Sequence, residues 1–199
     1  GVKYKIVQGY VHAVAPKGLI GSKVRFSKIS VGATENLIIA ASLAKGNTTL
    51  SNCAIEPEIK DLTNFLNKIG CKIKWTKKRT IEISGTKILN NANYQVMPDR
   101  IEAGTYLIAA ALTEGNLKIS GINPNIIKTE INILKKIGAK IKVRDNMINI
   151  KGSKKIKNIN IKTAPYPGFP TDLQAQIMVL LCKANKRSII KEKIFENRF

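Results

Sequence analysis

Two pieces of this chain occur twice. AASLAKGNTTLSN (residues 40–52) returns as AAALTEGNLKISG (residues 109–121), and LNKIGCKIK (residues 66–74) returns as LKKIGAKIK (residues 134–142), at a period of about 70 residues. A repeat is one supersecondary unit that buries its apolar face against neighbours, so it constrains the fold more tightly than any overall composition. Each copy reads as strand, helix, strand, second helix and a closing hairpin. In the second helices Ile59, Leu62, Leu66 and Ile69, and then Ile127, Ile131, Leu134 and Ile137, fall at helical spacing. Gly70 and Gly138 stand where those helices should stop. KIKWTKKRTIEIS and KIKVRDNMINIK alternate apolar and polar residues as hairpins do. The predicted class is α/β, built of β-α-β-α-β-β units, with residues 1–86 in one domain and 87–199 in a second.

The repeat is cut at both ends. Residues 3–15, KYKIVQGYVHAVA, read as the closing hairpin of an earlier unit, and from Ile159 onward a third unit supplies strand, helix and strand before FENRF. The chain is therefore expected to be the middle of a longer protein, with its missing halves as partners. The helix around QIMVLLC is expected to be poorly covered.

A net charge of +21, from 34 Lys and Arg against 13 Asp and Glu, raises the question of nucleic acid. The lysines are scattered, and the short clusters KWTKKR and KGSKK read as hairpin tips without aromatic platforms or zinc-ligand spacing. A solvated basic surface is the leading reading, a field that draws small phosphorylated anions the second, and a nucleic-acid groove the third. No apolar run reaches the ~18 residues of a membrane span, and a basic-then-apolar leader is lacking, so a cytoplasmic protein without membrane association is expected. Cys53, Cys71 and Cys182 lack C-x-x-C spacing and suggest neither a disulfide framework nor a metal site. Cys182 is placed in a helix core.

Three first helices start at equivalent positions: SKISVGATEN at Ser30, MPDRIEAG at Asp99 and FPTDLQAQ at Thr171. Asp99 with Glu102, and Thr171 with Gln174, have capping-box spacing. Ser30 to Gly32 pair a small cap with a glycine, leaving backbone N–H groups at a positive helix end suited to a phosphate-sized anion. Asp172 falls one past the expected cap, behind the stiff approach APYPGFP. It either complements the helix dipole or faces a ligand.

SVGATEN, EPEIKDLTNFL, MPDRIEAGTYLIAAAL, TAPYPGFPTDLQAQ and FENRF, in this order, closely resemble the UDP-N-acetylglucosamine 1-carboxyvinyltransferase family, the enolpyruvyl transferases of peptidoglycan synthesis, over the whole chain. That resemblance implies two domains of repeated units in an inside-out α/β barrel. It also implies transfer of the enolpyruvyl group of phosphoenolpyruvate to the 3-hydroxyl of UDP-N-acetylglucosamine, which serves the cell wall, cell shape and division. Lys28, Ile29, Ser30, Val31 and Gly32 then match the segment that binds the UDP portion, and Ile194 stands where the family usually has a valine touching the nucleotide sugar. Asp172 matches the acid at the sugar 3-hydroxyl, the favoured general base. Arg198 matches an arginine of the phosphoenolpyruvate pocket, with Glu196 and Asp99 facing the same cleft.

The chemistry implied requires no cofactor and no metal. The family's cysteine loop has no counterpart here, so the isolated 199 residues are expected to be inactive. The rivals are a relative of the 3-phosphoshikimate 1-carboxyvinyltransferases and a non-enzymatic basic fragment that binds nucleic acid.

Overall fold

A computed structural model describes residues 2–198; Phe199, the last residue of the FENRF string, lies outside them. The chain divides into two compact units, one running to Met97 and the other beginning at Pro98.

The first unit opens with a hairpin, β1 (Lys3–Val7) and β2 (Tyr10–Val14), whose ten residues are all exposed. It continues with β3 (Lys23–Arg25), α1 (Val31–Ser42), β4 (Asn47–Ser51), α2 (Pro57–Lys68), β5 (Lys72–Lys77) and β6 (Thr80–Ser84). This is the predicted β-α-β-α-β-β unit. Its sheet runs β3-β4-β6-β5, with β3 parallel to β4 and the other pairs antiparallel. Alternation decides which face is covered: Ile81 and Ile83 on β6, Ile73 on β5 and Leu50 on β4 are buried with Ile38 of α1 and Ile59 of α2. Each such side chain contributes about 1.5–3 kcal/mol by leaving water.

The second unit contains α3 (Arg100–Leu112), β7 (Asn116–Ser120), α4 (Lys128–Ile137), β8 (Lys140–Arg144), β9 (Met147–Lys151), β10 (Asn160–Lys162), α5 (Gln174–Leu181) and β11 (Ile189–Lys191). Strands β7-β9-β8 form an antiparallel sheet, and β10 pairs in parallel with β11. Ile127, Ile131, Leu134 and Ile137 are all buried, as their spacing predicts. The helix stops are confirmed by backbone angle: Gly70 has φ 107° and Gly138 φ 121°, a region closed to most side chains. Gly138 also donates its N–H to the Leu134 carbonyl at 3.2 Å.

Four expectations require correction. The second unit lacks the opening strand that the repeat predicts, because residues 87–97 are drawn onto α2. The Asn90 N–H donates to the Ile69 carbonyl at 2.7 Å, and the Tyr94 hydroxyl donates to Asp61 Oδ1 at 2.8 Å. An asparagine-rich stretch gains little from a sheet edge, and these local partners win. KGSKK is no hairpin tip but the start of the crossover from β9 to β10, held where the Lys157 N–H meets the Ile137 carbonyl at 2.8 Å. Cys182 is the exposed C-cap of α5 rather than a core residue. Thr171 is not a helix cap: Thr171–Leu173 form a 3₁₀ turn ahead of α5, capped by Pro170.

Candidate active site

The approach to Asp172 is fastened at several points. The Ala164 N–H donates to the Phe169 carbonyl at 3.0 Å, the Gly168 N–H to the Pro165 carbonyl at 2.9 Å, and the Thr129 hydroxyl to the Pro167 carbonyl at 2.6 Å. Beneath the loop, the buried Arg100 lies under the Tyr166 ring, 5.6 Å from its centroid, and pairs with the buried Glu130 at 3.8 Å. Burial raises the Glu130 carboxyl above its ordinary range, opposed by its own backbone N–H and by Arg100.

The turn itself fixes the direction of Asp172. Its neighbours Thr171 and Leu173 are buried, whereas the Asp172 side chain is 56% exposed. Leu173 sits against Gly104 of α3 so closely that a Cβ there would come within 2.5 Å of Leu173 Cδ1. A larger residue at position 104 would push the turn outward. Asp172 is thus held pointing out of a locked backbone, two residues before α5 rather than at its first helical position.

Beside it lies the loop that follows β11. Arg198 donates from Nη1 to the Thr171 hydroxyl oxygen at 2.6 Å, stands 4.0 Å from Asp172 Oδ1, and lies 5.3 Å from the Phe195 ring centroid. The structure therefore brings together Asp172 and Arg198, two of the residues singled out from sequence. Ile194 is half-buried in the same loop, and Glu196 is exposed.

Sequence reasoning missed the residue that organises this loop. Glu192 accepts at Oε1 from the Ile194 N–H (2.6 Å), the Thr163 hydroxyl (2.9 Å) and the Phe195 N–H (3.2 Å), and at Oε2 from the Thr171 hydroxyl (2.8 Å). Burial acts to raise its pKa, but these hydrogen bonds outweigh it and the carboxyl lies below its ordinary range. A signal existed only in register: β10 and β11 pair Lys162 with Lys191, so Thr163 and Glu192 follow as the next facing pair.

The second group of residues is on the first unit. Ser30 is the extended N-cap of α1, its Oγ accepting from the Ala33 N–H at 3.2 Å and its carbonyl from the Thr34 N–H at 3.1 Å. Thr34 anchors this turn, donating to the Ser30 carbonyl at 2.7 Å and accepting from the Ala54 N–H at 3.0 Å. Lys28 and Gly32 are exposed, Ile29 and Val31 half-buried, and nothing lies within 4 Å of where a Gly32 Cβ would be. The Ser30 cap leaves the N–H groups of Val31 and Gly32 at a positive helix end with open space at Gly32, a geometry suited to an anion.

A family model for EPSP synthase (3-phosphoshikimate 1-carboxyvinyltransferase) matches residues 1–199. The chain belongs to the EPSP synthase family. Among family members, the UDP-N-acetylglucosamine 1-carboxyvinyltransferase of Pelagibacter ubique (strain HTCC1062) is 78% identical over 199 residues, covering 100% of this chain and 48% of that protein. The protein of the same name from Geotalea uraniireducens (strain Rf4) is 49% identical over the same length and coverage. The chain spans about half the length of the curated relatives it matches. The enolpyruvyl transferase NikO from Streptomyces tendae shares the fold at a TM-score of 0.87 and 20% identity, covering 100% of this chain and 50% of that one. An EPSP synthase from Acinetobacter baumannii does so at 0.65 and 23%, covering 96% and 45%. The resemblance carried by SVGATEN, PGFPTD and FENRF agrees with these matches.

In this EPSP synthase family chain Asp99 acts as a cap. Its Oδ1 accepts from the Ile101 N–H at 2.7 Å and the Glu102 N–H at 3.2 Å. Asp99→Ala is expected to cost about 1 kcal/mol of stability in urea denaturation, the usual loss for a removed N-cap. Cys53 is fully buried, and burial pushes its thiol up to about 11, against smaller opposing effects of nearby backbone groups and Arg79, so it is no candidate nucleophile.

Proposed function

We propose that the protein containing this chain transfers the enolpyruvyl group of phosphoenolpyruvate to the 3-hydroxyl of UDP-N-acetylglucosamine, in the cytoplasm and in the service of peptidoglycan synthesis. The observation that carries this reading is the pairing of an outward-held carboxylate, Asp172, with a guanidinium, Arg198, on two braced segments. The 78% identity to a relative of that name supports the choice of acceptor. Among the described residues no helix is long and apolar enough to cross a membrane.

In this mechanism Asp172 takes the proton of the 3-hydroxyl as that oxygen attacks C2 of phosphoenolpyruvate, while a proton is delivered to the C3 methylene. The resulting tetrahedral adduct loses a C3 proton and the C2–O bond to phosphate, restoring the enol ether and releasing inorganic phosphate. Arg198 opposes the charge of the phosphoenolpyruvate anion. Lys28, Ile29, Ser30, Val31 and Gly32 receive the nucleotide portion and Ile194 packs on the sugar nucleotide. Asp99 and Glu196 act at most by shaping the surroundings. No organic cofactor or metal is required, and the partners are these two small anions rather than nucleic acid.

The test uses a full-length chimera in which these 199 residues replace the matched half of the Pelagibacter ubique relative. Phosphate release is expected with phosphoenolpyruvate and UDP-N-acetylglucosamine together. Release with shikimate 3-phosphate as acceptor, and none with the nucleotide sugar, would overturn the reading in favour of the other branch of the family.

A further inference from the structure

The hydrogen bonds around Thr171 have a direction. A hydroxyl has one proton, and Thr171 donates it to Glu192 Oε2 at 2.8 Å, so the oxygen presents a lone pair to the Arg198 Nη1–H at 2.6 Å. The opposite orientation would set a hydroxyl proton against a guanidinium proton. The other oxygen of the same carboxylate gathers the Ile194 and Phe195 N–H groups, and thereby fixes the backbone of the loop that carries Arg198. Thr163 completes the bridge, donating to Glu192 Oε1 at 2.9 Å and accepting from the Lys193 N–H at 2.8 Å. One acidic side chain thus joins the residues before Asp172 to the loop behind Arg198.

We infer that Glu192 is a positioning residue for the phosphoenolpyruvate site: by accepting from Thr171 it polarises that hydroxyl toward Arg198 and holds the guanidinium beside Asp172. This rests on the function proposed above. Glu192 does not touch the reacting atoms in this account; it acts through Thr171 and through the loop backbone. Charge matters to the device, because an ionised carboxylate at this position takes the Thr171 proton in a charge-assisted bond and so strengthens the same oxygen as an acceptor for Arg198.

Glu192→Gln separates this role from simple packing. The glutamine carbonyl oxygen can still receive the Ile194 and Phe195 N–H groups, which leaves its NH₂ facing Thr171. The Thr171 oxygen then accepts from the amide, no carboxylate takes its proton, and it becomes a weaker acceptor for Arg198. In the full-length chimera Glu192→Gln is expected to raise KM for phosphoenolpyruvate on the order of tenfold, as for one charge-assisted hydrogen bond, with little change in KM for the nucleotide sugar. Thr171→Val should do the same. The double variant should be no worse than either single one, because both break one link. Additive effects, or an unchanged KM for phosphoenolpyruvate, would overturn the inference. A second readout needs no catalysis: the Arg198 side-chain ¹⁵N resonances should report hindered rotation in the parent chimera and averaging in Glu192→Gln, and persistence of the hindered signal would also overturn it. If the transferase reading fails, shown by a chimera without turnover, the Arg198 resonances alone decide whether Glu192 holds the guanidinium.

Discussion

Asp172→Asn in the full-length chimera is expected to lower kcat by about 10² to 10⁴-fold, with KM for UDP-N-acetylglucosamine changing little. Asparagine keeps the shape and a hydrogen-bonding oxygen but cannot take the hydroxyl proton, so the loss falls on the chemical step. The alternative, an acid that merely complements a helix dipole, would cost about 0.3–1 kcal/mol of stability and leave turnover nearly intact. What favours the catalytic reading is where the side chain points. The turn Thr171–Leu173 and helix α5 are capped by Pro170 and Leu173, neither through its side chain, and Asp172 projects outward between two buried neighbours toward Arg198. A steady-state assay with both substrates and a urea denaturation curve decide it together. Normal turnover with a destabilised protein would remove Asp172 from the mechanism.

Arg100→Leu is expected to destabilise the protein by about 3–5 kcal/mol, the loss seen when one member of a buried ion pair is removed. Arg100 and Glu130 are 5% and 3% exposed, so without the guanidinium Glu130 must either remain charged in the interior or take up a proton. The second course gives the effect a pH dependence of known sign. Glu130 already has a folded pKa raised by burial, and losing Arg100 raises it further, so the folded variant holds more protons than the unfolded chain above the ordinary carboxyl range. Its stability therefore falls as pH rises through that interval, and the deficit measured in urea should be smaller at pH 5 than at pH 8. Adding Glu130→Met should recover most of the loss at both pH values, because an apolar pair of similar volume removes the stranded charge. A uniform deficit that Glu130→Met does not relieve would show that the contact with the Tyr166 ring, rather than the ion pair, is what matters.

The expected architecture was legible because its signals are local. Ile127, Ile131, Leu134 and Ile137 repeat at the helical period, Ile81 and Ile83 at the period of a strand, and Gly138 ends a helix through its own backbone freedom. The same holds for the short strings that identify the family, and for Asp99 and Ser30, whose caps involve residues two to four positions away. These features belong to the sequence by itself. Tertiary structure decided the rest. The expected strand ahead of α3 is missing because Asn90 and Tyr94 find partners on α2 and its C-cap, 21 and 33 residues earlier, and a strand exists only if a neighbour accepts it. Thr171 looked like a cap until Glu192 and Arg198, 21 and 27 positions later, claimed its hydroxyl. Glu192 itself, a lone acid between two lysines, shows its role only once β10 and β11 pair in register, since what a side chain does is set by the partners that folding delivers to it from far along the chain.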